Sequence, residues 1–221
     1  MQNLYTASKT PNTNVDFLAI VAAHCGVTLT ETVVAQGSDL DKQLAKRGAS
    51  TYPCLEVDAD TVLTDTHAIA AFICRSSGHS DLLGKTPAQE AVVDTWMDFM
   101  RTETAPIVNS LKWFAFGHAP CTTAEFNHIS GLYKDNLKVL NKHLNGKSGF
   151  TGDALSICDL YICCLQVEMM QCLMDTNFRN SINFLNNLFK AHCDTEPFKA
   201  RFGAIRQGKK QLMPAFSDGK K

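Results

Sequence analysis

The chain has 221 residues, of which 45% are hydrophobic and 19% are charged, and its formal net charge is −1. This composition is typical of a folded globular protein and excludes a disordered chain. The most apolar stretch, residues 155–174, is interrupted by Asp159, Gln166, Glu168 and Gln171, so it lacks the roughly 20 uninterrupted apolar residues of a membrane span. Because the N-terminus also lacks a signal-peptide pattern, the sequence predicts a cytoplasmic protein with no membrane partner.

Residues 1–80 alternate between strand and helix patterns. The spacing of apolar residues and the turn Asp58-Ala59-Asp60 predict, in order, strand, helix, strand, helix, two hairpin strands and a helix. These elements lie at residues 3–7, 15–25, 29–35, 39–46, 54–57 and 61–64 and from Thr66 to near Gly78. The first predicted domain, residues 1–80, is therefore of the α/β class.

From residue 86 onward the pattern is helical throughout. Capping boxes at Thr86–Gln89 and Thr122–Glu125 begin two long helices, and Pro106 is expected to kink the first of them. Ser156 and Asp159 begin a third helix that is apolar nearly all round and therefore buried; this pair is interpreted as a structural cap rather than an acid–base pair. With shorter helices at about 179–192 and 196–203, residues 86–205 are predicted to form an all-α domain.

Charge is unevenly distributed along the chain. Residues 1–205 carry a net charge of −5, whereas residues 206–221 carry +4 and are predicted to form a basic flexible tail or linker. A folded body this acidic is unsuited to direct binding of nucleic acid. It suits a basic or amphipathic partner segment instead, and the alternative interpretation is that this charge only keeps the body soluble.

The nine cysteines do not indicate a disulfide framework or a metal site. Their number is odd, no pair has CxxC spacing, and none is grouped with histidines. Four of them lie inside one apolar helical pattern, where free cysteine behaves as a small hydrophobic residue. The sequence therefore predicts reduced cysteines and no bound metal.

Three local motifs resemble the glutathione transferase superfamily. Tyr52-Pro53 resembles its cis-proline, and Leu63–Ile69 resembles its acidic and hydroxyl pair before Ala-Ile. Gly152–Asp159 resembles the capping box of its buried sixth helix. Over residues 3–205 the resemblance implies an α/β thioredoxin-like N-terminal domain followed by an all-α C-terminal helical domain.

A narrower resemblance is to the gamma-subunit family of the eukaryotic elongation factor 1 complex. It is carried by Leu83–Pro87 with Trp96, and by Asn177–Arg179 leading to Glu196–Phe198. In that family a transferase-like domain precedes a Lys-rich linker, which residues 206–221 resemble. The resemblance implies a scaffold that anchors the guanine-nucleotide-exchange subunits of that complex, and homodimerisation is a further expectation.

The superfamily resemblance also implies a glutathione site. Tyr52, beside Pro53, would offer its backbone to the glutathione peptide. Thr66, at a helix N-cap, would accept the γ-glutamyl carboxylate, and Asp65 would meet the ligand's amino group. The alternative interpretation is that Asp65 and Thr66 only cap their helix. Glutathione is thus a possible ligand or substrate, and no other cofactor is predicted.

Active members of the superfamily also need a donor that holds the glutathione sulfur as a thiolate, in the loop after the first strand. The candidates here are Ser8, Thr10 and Thr13, and none stands in a recognisable motif. Asp16 adds a carboxylate nearby, which would raise the pKa of a neighbouring thiol. The sequence therefore favours a scaffold without chemistry, and the alternative is an active cytosolic glutathione transferase that conjugates glutathione to electrophiles.

Overall fold

The computed structural model describes residues 2–8, 12–152 and 154–219. The chain divides into two compact units, Met1–Glu90 and Ala91–Lys221. The boundary lies at Glu90, a few residues beyond residue 86, where the all-α domain is predicted to begin. A small mixed sheet in the first unit and helices in the second match the predicted fold class.

The first unit follows the predicted order β-α-β-α-β-β-α. Its elements are β1 (Gln2–Thr6), α1 (Thr13–His24), β2 (Leu29–Val33), α2 (Asp39–Lys46), β3 (Cys54–Glu56), β4 (Val62–Leu63) and α3 (Thr66–Ser76). The strand order in the sheet is β2-β1-β3-β4, with β1 parallel to β2 and antiparallel to β3. Helix α1 begins two residues before the predicted start because the Asn12 side chain caps it by accepting a hydrogen bond from the Asn14 amide.

Alternation along the strands gives the sheet two different faces. Tyr5 of β1 lies opposite Cys54 of β3, and both belong to a buried cluster with Val34 and Leu44. The neighbouring pair, Leu4 and Leu55, therefore points to the opposite face, since successive side chains of a strand alternate. Helix α2 is polar apart from a few residues, and Leu44 is the side chain that it buries.

The second unit consists of helices with two π-helical turns. Its elements are α4 (Pro87–Phe99, which begins in the first unit), a π turn (Met100–Thr104), α5 (Ala105–Ala115), α6 (Thr123–His143), α7 (Ile157–Glu168), a second π turn (Met169–Leu173), α8 (Thr176–Ser181), α9 (Asn183–Cys193) and α10 (Glu196–Phe202). The irregularity predicted at Pro106 takes the form of the first π turn, which widens the helix just before the proline ring. The single helix predicted at 179–192 is two helices separated at Ile182.

Helix α7 lies in the core of the second unit, and every residue from Ile157 to Val167 is buried. Its start is built around the Asp159 carboxylate, which is fully buried. Oδ2 of Asp159 accepts the Ser156 amide at 2.8 Å and the Ser156 hydroxyl at 2.6 Å, and Oδ1 accepts the Phe150 amide at 2.9 Å. The pair that the sequence identifies as a cap therefore joins the helix to the preceding loop.

The segment predicted as a basic flexible tail, residues 206–221, is bound to the helical unit over its described part. The Gly208 amide donates to the Met170 carbonyl at 2.9 Å, and the Ser217 amide donates to the Cys121 carbonyl at 2.9 Å. Pro214 between them is buried. The prediction rested on composition, which does not report that these amides find acceptors elsewhere in the chain.

The described residues 2–8, 12–152 and 154–219 contain no helix long and apolar enough to cross a membrane. Within the same ranges no group of three or more His, Cys, Asp or Glu side chains could hold a metal ion. Each of the nine cysteines lies within these ranges, where none forms a disulfide bond, and eight of them are buried.

Candidate ligand site at one end of the sheet

The strand registers bring the predicted site residues to one end of the sheet. Tyr5, near the end of β1, lies opposite Cys54, the first residue of β3. Leu63, the last residue of β4, lies opposite Leu55. Because both pairings are antiparallel, the loop after β1, the residues before β3 and the start of α3 meet at the same end of the sheet. This placement joins segments that are up to 60 residues apart in sequence.

The Tyr52–Pro53 peptide bond is cis, as the superfamily resemblance implies. The Tyr52 ring is half-buried against the cluster that contains Leu44, and its hydroxyl donates to Oδ1 of Asp41 at 2.7 Å. Burial, together with this hydrogen bond, raises the pKa of Tyr52 far above its usual value, and the same bond lowers the pKa of Asp41. The Tyr52 hydroxyl is therefore bonded to a residue of α2, and only the backbone of Tyr52 is available to a ligand at this position.

At the start of α3, Asp65 and not Thr66 is the N-cap residue. Asp65 is the N-cap, and its Oδ1 accepts the Ala68 amide at 2.8 Å. Thr66, predicted as the capping hydroxyl, is the first helical residue and is buried. Asp65 is favoured as the N-cap because its carboxylate accepts the amide hydrogen bond and also interacts favourably with the helix dipole. The capping interpretation of Asp65 is thus observed, and the glutathione contacts of these residues stay predictions.

The loop after β1 supplies the predicted thiolate donors. Ser8 is exposed, and its carbonyl accepts the Thr6 hydroxyl at 2.9 Å. Thr13 is half-buried and is the first residue of α1, with Asp16 in the same helical turn. Thr10 lies outside the described residues. Ser8 and Thr13 therefore lie on either side of the segment that joins β1 to α1, and Asp16 adds a carboxylate in the first turn of α1, which disfavours a thiolate nearby.

Tyr5, the second phenol of this region, is held by a polar cluster on the sheet. Glu56 accepts the Tyr5 hydroxyl at 2.9 Å and the Asn3 amide group at 3.0 Å, and Arg47 donates to the other Glu56 oxygen at 2.6 Å. Arg47 also donates to the Asp58 carbonyl. Burial and the bond to Glu56 raise the pKa of Tyr5. The phenol is thus part of the sheet's structure and is not a donor for a sulfur atom.

The hydrogen bonds to Glu56 make a pH-dependent contribution to stability. Those from Asn3, Arg47 and Tyr5 lower the pKa of Glu56. A carboxyl whose folded-state pKa is lowered stabilises the fold above its unfolded-state pKa, about 4.3 for Glu, and this contribution is lost as the pH falls through the folded-state pKa. We expect Glu56→Gln to reduce the free energy of unfolding by about 2 kcal/mol at pH 7, and the difference from the parent to close at acidic pH.

Urea unfolding of both proteins between pH 7 and pH 3 measures this difference. The exposed Asp60, between β3 and β4, provides a control in the same unit, and Asp60→Asn should stay within about 0.5 kcal/mol of the parent at pH 7. A Glu56→Gln deficit that persists undiminished at pH 3 would contradict the ionic origin of the effect.

Cys54 is the cysteine at this end of the sheet, and it is not a nucleophile. Its side chain is fully buried, and burial raises the pKa of the Cys54 thiol to about 11. A thiol with such a pKa is almost entirely protonated at neutral pH and therefore unreactive. The described part of the site can thus present backbone groups and a helix N-terminus to an anionic peptide, while neither phenol nor the thiol is set up for acid–base or nucleophilic chemistry.

The sequence did not reveal the two carboxylates that accept hydrogen bonds from the tyrosine hydroxyls. Asp41 and Glu56 stand 11 and 51 residues from Tyr52 and Tyr5, so no local pattern identifies them. Asn12 as the cap of α1 was also missed, although an Asn directly before a helix is a known start signal.

Comparisons with known proteins identify the fold and a group of relatives. No family model matches the chain. The chain is 27% identical over 194 residues to "Probable elongation factor 1-gamma 2" of Arabidopsis thaliana, an alignment that covers 85% of this chain and 46% of the relative. The chain therefore spans about half the length of that curated relative.

Two solved structures show the same fold. The crystal structure of the GST-like domain of elongation factor 1-gamma from Saccharomyces cerevisiae matches with a TM-score of 0.78 at 13% identity, covering 96% of this chain and 98% of that one. Glutathione S-transferase-I bound with lactoylglutathione matches with a TM-score of 0.78 at 16% identity, covering 93% and 99%. The chain has the glutathione transferase fold, and its homologues include proteins named elongation factor 1-gamma.

Proposed function

We propose that this elongation factor 1-gamma-like protein of the glutathione transferase fold is a cytoplasmic scaffold. It anchors a guanine-nucleotide-exchange subunit of the elongation factor 1 complex and performs no thiol chemistry. The proposal depends on which structural features of the predicted glutathione site are present at the end of the sheet and which side chains there are already hydrogen-bonded. The cis bond before Pro53 and the Asp65-capped helix are present, whereas both phenols near this end are bonded to carboxylates.

Thiol activation requires a donor to the sulfur and a positive local potential. Tyr5 and Tyr52 are excluded as donors by their bonds to Glu56 and Asp41. Among the described residues of the β1–α1 loop, Ser8 and Thr13 remain, and Asp16 lies in the first turn that follows. This arrangement supports a protein that has the glutathione transferase fold without the groups that activate a thiol.

Charge supports a protein partner. Residues 1–205 carry a net charge of −5, and an acidic surface attracts a basic or amphipathic segment and speeds its association. The expected partner is therefore an exchange subunit that presents such a segment.

Isothermal titration calorimetry with the exchange subunit tests the scaffold role. We expect one-to-one binding with a Kd of about 1 μM or tighter, which corresponds to about −8 kcal/mol. An attraction between exposed charges should weaken as salt rises from 0.1 to 1 M and the Debye length falls from about 10 to about 3 Å. Absence of binding at low salt would contradict the scaffold proposal, whatever the outcome of enzymatic assays.

An active glutathione transferase is the second candidate, and the cis-proline together with an exposed Ser8 favours it. A conjugation assay with glutathione and a chlorinated nitrobenzene separates the two functions. We expect no rate above the uncatalysed reaction. Turnover that is lost in Ser8→Ala or Thr13→Val but kept in Ser80→Ala, a control at an exposed serine outside the loop, would establish the enzyme instead.

A further inference from the structure

Residues 207–218, named the strap here, lie along the helical unit after α10. The strap begins at the π turn that follows α7. The Gly208 amide donates to the Met170 carbonyl at 2.9 Å, and the Leu212 amide donates to the Cys172 carbonyl at 2.6 Å. Carbonyls at a helix C-terminus have no intrahelical donors, so the strap satisfies acceptors that the π turn leaves open. A Cβ at Gly208 would collide with the Gln171 carbonyl oxygen, so this position admits glycine alone.

The strap ends at the start of α6. The ring of Phe216 lies edge-on to Phe126, with centroids 5.8 Å apart. The Asp218 carboxylate accepts the Thr123 amide at 3.0 Å and the Thr123 hydroxyl at 3.1 Å. A carboxylate at the N-terminus of a 21-residue helix is stabilised by the helix dipole and by the first amides.

Few apolar contacts hold the strap. Among its twelve residues Pro214 alone is buried, and Leu212 and Met213 expose 42% and 49% of their surface. A segment with many solvent-exposed hydrogen bonds and little apolar burial opens at low free-energy cost. The strap is therefore expected to open locally while the helical core stays folded.

The strap also leaves a polar group beneath it unsatisfied. Gln211 lies over a pocket that Ser130, Tyr133, Leu173 and Phe178 help to line. Ser130 is 8% exposed, and its hydroxyl has no hydrogen-bond partner among the residues that the structure describes. A buried polar atom without a partner costs about 1–3 kcal/mol, so another occupant that reaches Ser130 could bind better. The cavity measures about 10 Å³, roughly room for one water, so an organic ligand does not fit while the strap is in place.

We propose that the strap is a displaceable internal occupant of a peptide-binding groove. The groove accepts an extended segment of a partner protein that carries an aromatic residue two positions before a carboxylate. Phe126 receives the aromatic ring, the start of α6 receives the carboxylate, and the carbonyls of Met170, Cys172 and Cys121 accept the segment's amides. The strap's own Phe216-Ser217-Asp218 has this pattern and competes with the partner.

Fluorescence anisotropy with a labelled peptide of residues 206–219 tests the competition on the full chain. In the parent the strap occupies the groove. The apparent affinity for the peptide is therefore the affinity of the open groove multiplied by the fraction of chains in which the strap is open. Gly208→Ala forces the strap away from Gln171, and Asp218→Asn weakens its contact with Thr123. We expect the double variant to bind the peptide at least ten-fold tighter than the parent, and Asp98→Asn, at an exposed site on α4, to behave like the parent.

Changes in the peptide test its chemistry. The Phe216→Ala and Asp218→Asn peptides should each lose at least ten-fold in affinity for the double variant. A peptide that keeps Pro214, Phe216 and Asp218 in an otherwise Gly/Ser sequence should still bind. Equal affinity of parent and double variant, or equal binding of all peptides, would overturn the proposal.

Hydrogen exchange on the parent chain gives an independent test that does not depend on how the variants fold. The amides of Gly208, Leu212 and Ser217 should exchange at least ten-fold faster than the buried amides of α7, such as that of Cys163. Exchange of strap and α7 amides at one common rate would show that the strap opens only with global unfolding, and would also overturn the proposal.

Discussion

Replacing Asp159 with alanine is expected to lower the free energy of unfolding by about 4 kcal/mol, because three buried donors lose their acceptor at once. These donors are the amide and hydroxyl of Ser156 and the amide of Phe150. Burial raises the pKa of Asp159 although all three donors oppose that shift. The carboxylate is thus tolerated in the core only through its hydrogen bonds.

Urea denaturation followed by circular dichroism measures this loss. Asp159→Asn keeps the shape but turns an NH₂ group toward at least one donor, and we expect it to cost about 2–3 kcal/mol. Asp98→Ala removes an exposed aspartate from α4 and should change stability by no more than about 0.5 kcal/mol. An Asp159→Ala protein as stable as the Asp98→Ala control would contradict the role of the buried carboxylate.

Alanine at Gly84 is expected to cost about 3–4 kcal/mol, well above the cost at Gly78. Gly84 has φ +118°, and an added Cβ would lie 2.5 Å from the Glu90 amide nitrogen, which belongs to the backbone and cannot move aside as a side chain can. Both the backbone conformation and the missing space require glycine here.

Two further glycines separate these causes. Gly78 has φ +79° with no atom within 4 Å of an added Cβ, so Gly78→Ala should cost about 1 kcal/mol through conformation alone. Gly131 lies inside α6 with open space around it, so Gly131→Ala should stabilise the protein by about 0.5–1 kcal/mol. Thermal unfolding should give melting temperatures that fall in the order Gly131→Ala, parent, Gly78→Ala, Gly84→Ala. Equal stability of the Gly78→Ala and Gly84→Ala variants would contradict the steric argument.

The sequence alone determined the order of the elements and several of their caps. Helix periodicity and capping boxes are local signals, since the residues that form them stand three or four positions apart. Thr122 and Glu125 bond each other at the start of α6 because of this spacing. The motif around Pro53 identified the fold and the cis bond through resemblance.

Only the tertiary structure decided which polar groups are available for chemistry. The sequence does not show what the hydroxyls of Tyr5 and Tyr52 bind, whereas the sheet register and α2 place Glu56 and Asp41 at these hydroxyls. The C-terminal segment is the clearest case, since its basic composition predicts a solvated linker. Its amides nevertheless bond to Met170 and Cys172, because a π turn far back in the sequence leaves their carbonyls open. Hydrogen-bond partners of this kind are selected by packing across long sequence separations, which composition and periodicity do not encode.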